Sequence, residues 1–164
     1  MDIDIIIPIY NAFDFVKKCI ETVIEHTDLT QHTLLLVNDK STDERILPLL
    51  NSFIKENQSL NIILIDNKDN QGFVRTVNIG MQYSHHDVVL LNSDTEVTRN
   101  WLSKIQNCAY SKPAVATVTP LSNNATLASV PIFLAENTIP PGLSVEEYAD
   151  IVENKRERDV YGKN

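Results

Sequence analysis

Four short clusters of acids, amides and hydroxyls each close or directly follow an apolar run. They are Pro8-Ile9-Tyr10-Asn11; Asn38-Asp39-Lys40-Ser41-Thr42-Asp43; Asp66-Asn67 with Asn70-Gln71-Gly72-Phe73; and Asn92-Ser93-Asp94-Thr95-Glu96. Carboxylates and amides gathered on one rim suit a hard divalent cation. Magnesium and manganese take oxygen ligands, commonly one or two carboxylates, and leave positions for water and phosphate oxygens. Such a cation also explains how an acidic chain can hold an anion.

Each residue also has a plainer explanation. Asp and Asn are common turn formers and helix caps, so Asp39 or Asp94 taken singly is as readily a turn residue as a ligand. Asp43 and Glu44 suit the start of the next helix, where the dipole favours acids. Gly72 alone fits any turn. His85-His86 resembles a metal pair, but adjacent side chains point apart, and a solvated loop is the better reading. Cys19 and Cys108 lie on apolar stripes and read as core residues. Neither a Gly-x-Ser-x-Gly elbow nor a phosphate-binding P-loop occurs.

The elements that must position these clusters follow from the apolar spacing. Runs of strand length lie at Ile3–Ile9, Thr33–Val37, Leu60–Ile65, Asp87–Leu91 and Ala114–Val118. Several are β-branched, as in parallel strands buried on both faces. Between them fall helical stripes. The first is Phe15, Val16, Cys19, Ile20, Val23 and Ile24, with Asn11 as its expected N-cap. The second is Ile46, Leu47, Leu49, Leu50, Phe53 and Ile54, with Pro48 in the first turn. Phe73, Val74, Val77 and Met81 make a third stripe, and Trp101, Leu102, Ile105 and Cys108 a fourth. Alternating strand and helix predicts an α/β fold with a mostly parallel sheet. In such sheets ligands bind outside the carboxyl ends of the strands, where the four clusters stand. After Pro120 the pattern breaks into loop. Val145–Val152 has weak helical character, and Glu153–Lys163 is charged and expected to fray.

Composition narrows the function. The chain has 164 residues, with 14 Lys plus Arg against 22 Asp plus Glu and a formal net charge of −8. That balance argues against a nucleic-acid partner and against an anionic membrane surface. No apolar run approaches the roughly 20 residues of a membrane span. With no signal-peptide pattern and no metal-type cysteine pair, a soluble, cytoplasmic, reduced protein is expected.

Taken together, the segments resemble family 2 glycosyltransferases of the GT-A fold, in their rhamnosyltransferase-like branch. Asp4-Ile5-Ile6-Ile7-Pro8-Ile9-Tyr10-Asn11 resembles the opening strand of that family. Val37-Asn38-Asp39-Lys40-Ser41-Thr42-Asp43 resembles its Val-Asp-Asp-Gly-Ser-Thr-Asp motif, with Asn38 and Lys40 as departures. Asn70-Gln71-Gly72-Phe73 through Asn78-Ile79-Gly80 resembles its Asn-x-Gly-Phe…Asn-x-Gly segment. Val89-Leu90-Leu91-Asn92-Ser93-Asp94-Thr95-Glu96-Val97, followed by Trp101-Leu102, resembles a variant of its Asp-x-Asp motif. Pro120 through Thr126 also resembles that branch. The likeness covers about residues 1–131 and implies a GT-A, Rossmann-like sheet flanked by helices and incomplete at the C-terminus.

The resemblance implies roles. Pro8, Ile9, Tyr10 and Asn11 would line a nucleobase and ribose pocket. Asp39 would accept from a uracil or thymine N–H. Asn67, Gly72 and Phe73 would flank base and ribose. Asp94 would bind magnesium or manganese beside Asn92 and Ser93, with Glu96 in reserve. The implied donor is a UDP- or dTDP-linked sugar and the acceptor a glycan or lipid-linked hydroxyl, attacked with inversion. The family's catalytic base, an acidic pair in a later half, has no counterpart, so the catalytic residue is unknown. Glu146-Glu147 reads as a solvated helix face. Residues 132–164 read as an irregular or helical extension, and Ile132, Phe133 and Leu134 as a surface for another segment or a second subunit. The competing reading is a non-catalytic nucleotide-sugar-binding or interaction fragment of a larger enzyme.

Overall fold

The computed structural model describes residues 1–125, 128–132 and 134–161. Thr126, Phe133 and Lys163, all included in the sequence expectations, lie outside the described residues. The chain packs as two compact units, Met1–Val97 and Thr98–Asn164.

The first unit holds β1 (Ile3–Ile9), α1 (Phe13–His26), β2 (Thr33–Asn38), α2 (Ile46–Glu56), β3 (Ile62–Asp66), α3 (Phe73–Tyr83) and β4 (Asp87–Leu90). The four strands form one sheet in the order β3-β2-β1-β4, all parallel. Strand order therefore reverses at β1: the chain steps outward through β2 and β3, then returns to the far side of β1. β1 is buried along its whole length, and Ile5, Ile6 and Ile7 have no exposed surface. Burying each such side chain contributes roughly 1.5–3 kcal/mol. This is why a nearly all-apolar strand takes the central position.

One polar residue interrupts that strand. Asp4 is 5% exposed. Its carboxylate accepts from Ser84 Oγ at 2.6 Å and from the His85 N–H at 3.3 Å, and lies 3.2 Å from His86 Nδ1. Burial pushes its pKa up, but the Ser84, His86 and His85 hydrogen bonds outweigh that and hold it below the usual carboxylate range. The His85-His86 pair is thus the exposed loop the sequence predicts, and it tethers the α3–β4 turn to β1.

α1 buries Val16, Cys19, Ile20 and Val23, as the stripe predicts, together with Thr22. Three expectations fail here. Asn11 is not the α1 N-cap; Ala12 takes that position, with no side-chain cap. Phe15 is 63% exposed. The α3 stripe holds only at Val77: Phe73, Val74 and Met81 are exposed, and the buried face is Thr76, Val77 and Gly80. The cause is close approach. A Cβ at Gly80 would stand 2.7 Å from Ile6 Cγ2 and 3.3 Å from Val37 Cγ2, so α3 lies on β1 and β2 through its smallest residue.

In the second unit, α4 (Trp101–Ala109) buries Trp101 and Leu102 but exposes Cys108, against expectation. Ala114–Val118 is not a strand. Its residues 114–117 are exposed, and the described part of this unit contains only isolated bridges, so no ladder satisfies the segment's backbone. Asn137 is buried and staples the loop before α5: its side chain accepts from the Ile132 N–H and donates to Ser129 Oγ, Ile132 O and Ala135 O. The last helix, α5, runs Val145–Tyr161, longer than the sequence suggests. Ser144 and Glu147 form a reciprocal capping box at its start. Among the described residues, no helix is long and apolar enough to cross a membrane.

Two outcomes follow. Gly80→Val should lower folding stability by about 1–3 kcal/mol through overpacking against Ile6; an unchanged urea midpoint would count against the close approach. The second concerns His32, which is buried and accepts the Ile3 N–H on Nδ1 at 3.2 Å. Burial lowers its pKa from 6.5; the N-terminus adds to this, while Asp2 and Asp28 oppose it. A lowered histidine pKa means the unfolded chain binds the proton first. Its stability contribution is therefore present above pH 6.5 and is lost as pH falls below it. Urea midpoints should drop between pH 7.5 and pH 5.5, and His32→Gln should flatten that slope.

Candidate functional site

The site grows from the carboxyl ends of the strands, where the ladder runs on into the loops. The Asp39 N–H donates to Ile9 O at 2.8 Å, the Asn67 N–H to Asn38 O at 2.9 Å, and the Leu91 N–H to Ile6 O at 3.0 Å. All four clusters therefore leave the sheet on one edge.

Asp39 is 3% exposed. Its Oδ1 accepts from the Gln71 N–H at 2.7 Å and from Asn67 Nδ2 at 3.0 Å, and its Oδ2 accepts from the Gly72 N–H at 2.8 Å. Burial alone would raise this pKa, but the Gln71, Asn67, Thr76 and Gly72 hydrogen bonds hold it below the usual range. A carboxylate has about four lone-pair sites, so these donors nearly saturate it. The carboxylate expected to meet a nucleobase is also tied to the β3–α3 loop. Gly72 sits at φ +77° with ψ 161°, a conformation closed to other residues, because its N–H must turn toward Asp39.

Asn11 laces the β1 and β2 loops together. Its N–H donates to Ser41 Oγ at 2.9 Å, and its Oδ1 accepts the Thr42 and Asp43 N–H groups at 2.8 and 2.9 Å. Asn11, Ala12 and Lys40 all have positive φ, of 58°, 57° and 57°. Such residues are uncommon outside glycine and collect at functional sites.

A cleft of about 450 Å³ opens beside this network, lined by Pro8, Tyr10, Ala12, Phe15, Phe73, Asn92, Ser93 and Asp94. Six expected residues (Pro8, Tyr10, Phe73, Asn92, Ser93 and Asp94) thus meet in one cavity. Asp39, Asn67 and Gly72 form the buttress beside it. Ile9, 1% exposed, belongs to the sheet core. Sequence reasoning missed Ala12 and Phe15. Phe15 stands in the first turn of the helix that follows β1, and that place in the chain was the available signal. Beneath the cleft, Cys19 donates its thiol hydrogen to Asn92 O at 3.5 Å; burial, then the charges of Asp94 and Glu96, push its pKa up to about 12. No group of three or more His, Cys, Asp or Glu residues suited to a metal occurs among the described residues.

A parallel sheet with its order reversal at β1, and a cleft at the carboxyl ends of β1 and β4, define an open α/β domain with its binding crevice at the switch point. The chain belongs to glycosyl transferase family 2, whose profile it matches over residues 4–133. It is 31% identical over 104 residues to polypeptide N-acetylgalactosaminyltransferase 11 of Xenopus tropicalis, a match covering 62% of this chain and 17% of that protein. Its fold is similar to that of mannosyltransferase PcManGT from Pyrobaculum calidifontis in complex with GDP-Man and Mn2+, with a TM-score of 0.68 at 17% identity over 73% of this chain and 35% of that one. S. aureus TarS 1-349 in complex with UDP shares the fold at a TM-score of 0.56 and 17% identity, over 94% of this chain and 49% of that one. The chain thus spans half or less of the length of each.

The Asp39 geometry makes a measurable difference. Asp39→Ala strands three donors and should cost about 1–3 kcal/mol of stability. Asp39→Asn, which keeps one acceptor oxygen, should cost less. Equal urea midpoints for Asp39→Ala and the parent chain would refute the buttress.

Proposed function

We propose that the chain is the donor-binding half of a metal-dependent, inverting glycosyltransferase that moves a sugar from a nucleoside diphosphate to a glycan or lipid-linked hydroxyl. In this reading residues 1–131 hold the donor and residues 132–164 are an extension of the same domain. The carrying observation is the charge of the cleft: Asp94 is the one charged residue among the eight that line it, and none is basic. A diphosphate beside that carboxylate is repelled unless a cation stands between them.

The residues fit such a cation. Asp94 supplies the carboxylate, Asn92 and Ser93 supply neutral oxygens, and Glu96 is on the same loop; magnesium and manganese accept such a set when phosphate oxygens complete it. Bound there, the metal would neutralise charge developing on the departing diphosphate. Tyr10 and Phe73 offer aromatic faces to a base or ribose. Asp39 acts on the base indirectly, by fixing the loop of Asn67 and Gly72. In the transfer, the bond from the anomeric carbon to the diphosphate oxygen breaks and a bond to the acceptor oxygen forms on the opposite face. The acceptor proton goes to a general base. The acidic pair Glu146-Glu147, expected to be a solvated helix face, is not poised as that base: Glu146 pairs with Arg99 and Glu147 caps α5 at Ser144. These commitments favour the second reading, a nucleotide-sugar-binding module whose catalysis needs a base from elsewhere.

Calorimetry with UDP, dTDP, GDP and ADP, each with and without Mn2+, tests the proposal. Uridine or thymidine diphosphate should bind in preference to ADP, and Mn2+ should strengthen binding. Asp94→Asn should remove the metal-dependent gain and, by removing the repulsion, strengthen metal-free binding. Equal affinity for UDP and ADP would overturn the donor class, and an intact metal gain in Asp94→Asn would overturn the ligand.

A further inference from the structure

The loop carrying Asn92, Asp94 and Glu96 presents all three side chains to solvent, so its shape must be set from below. Two contacts join it to α1. At its start, the buried Cys19 thiol donates to Asn92 O at 3.5 Å. At its end, the Val97 N–H donates to Thr22 Oγ1 at 3.3 Å. The same hydroxyl donates onward to Cys19 O at 3.0 Å. Between these anchors, the Thr95 N–H closes a turn on Asn92 O at 3.1 Å. Thr22 is 7% exposed and Val97 is also buried, so water has little access to replace the hydroxyl.

The role of Thr22 is not the ordinary one for its position. A helix-facing threonine usually returns its hydroxyl to its own helix and stops there. Here the lone pair left over is aimed at the backbone of another element, one residue past the acidic stretch. Val or Ala at 22 would pack against the same core and leave the Val97 N–H without an acceptor.

We infer that Thr22 is a positioning residue for the cation site: its hydroxyl, with the Cys19 thiol, pins both ends of the Asn92–Val97 loop to α1 and holds the Asp94 carboxylate in place. The inference rests on the reading of Asp94 as a metal ligand and extends it to a residue that touches neither metal nor nucleotide. A carboxylate on a loop with loose ends must be ordered when the cation binds, whereas one already held need not be. Partners that orient metal ligands typically change metal affinity by 10- to 100-fold when removed.

Titration of UDP into the full chain, with and without Mn2+, gives a metal-dependent gain for each variant. Thr22→Val should cut that gain about 10-fold or more while metal-free UDP affinity stays within about twofold. Thr22→Ser, which keeps the hydroxyl, should retain the gain. A merely structural role would lower both affinities together. A full gain in Thr22→Val, or equal losses in Thr22→Val and Thr22→Ser, would overturn the inference. Should Thr22→Val not fold, amide hydrogen exchange on the parent chain decides: the Val97 amide should be protected, and fast exchange there overturns the proposal. A parent chain with no metal-dependent gain defeats the cation reading itself, a result distinct from failure of the Thr22 variants alone.

Discussion

A buried carboxylate dictates the shape of the site. An ionised Asp taken out of water is costly unless hydrogen bonds replace its hydration. Asp39 stands where β2 leaves the sheet, and its replacements come from one stretch of chain: the Asn67 and Thr76 side chains and the Gln71 and Gly72 backbone amides. To supply them, the chain after β3 must turn back toward β2. Gly72 absorbs that turn at φ +77°, and α3 starts at the next residue. Phe73 then faces the cleft because the loop has delivered the helix start there. Three residues further on, the buried face of α3 begins at Thr76 and rests on β1 and β2, and Gly80 lets it approach. One charge thus couples the end of β2, the loop after β3 and the seating of α3.

The cleft itself is a consequence of strand order. Loops after neighbouring strands on one side of a parallel sheet crowd together. Where the order reverses, the chains diverge and leave a gap at the carboxyl edge. Here the reversal falls between β1 and β4. The aromatic side comes from the β1 and α1 segment, with Tyr10 and Phe15, and from Phe73; the polar side comes from the segment after β4. Exposed Phe15 and Phe73 are poor contributions to a core, yet both line this one cavity. Their exposure is a property of the site and has no use in the packing of the domain.

Much of this was legible in the sequence, and the failures share a cause. The four paired strands and the first four helices show because long apolar runs and stripes are needed to bury them. The polar strand ends show because a parallel sheet puts its binding edge there. What the sequence hid are contacts made by backbone and by small or hydroxylated residues. The donors to Asp39 include two main-chain N–H groups, invisible as residue types. The buried face of α3 is Thr76, Val77 and Gly80; an apolar stripe finds Val77 but passes over Thr76 and Gly80 in favour of the larger, exposed Phe73, Val74 and Met81. Asn11 has the composition of a helix cap, but its left-handed backbone turns it onto the β2 loop instead. Ala114–Val118 has the composition of a strand but no described ladder to join, and composition alone cannot supply a partner strand.

The two departures from the family's Val-Asp-Asp-Gly-Ser-Thr-Asp pattern each have a local physical reading. Lys40 stands at φ 57°, in the region glycine enters freely, so a glycine suits the position sterically and lysine occupies it with backbone strain. Asn38 pairs in register with Asp66 across β2 and β3, and its Nδ2 donates to Asp66 Oδ1 at 2.7 Å. Its Oδ1 accepts the Ser41 N–H at 3.2 Å, closing the same loop that Asn11 grips. A carboxylate at 38 would press against that of Asp66 with no donor between them. The amide satisfies both neighbours without charge. It also leaves Asp39 as the lone buried acid at this end of β2, so the donors of the β3–α3 loop converge on a single carboxylate. The departure at 38 and the presence of Asp66 are therefore one feature: the buried amide donates to the exposed carboxylate facing it and adds no second charge at this end of the sheet.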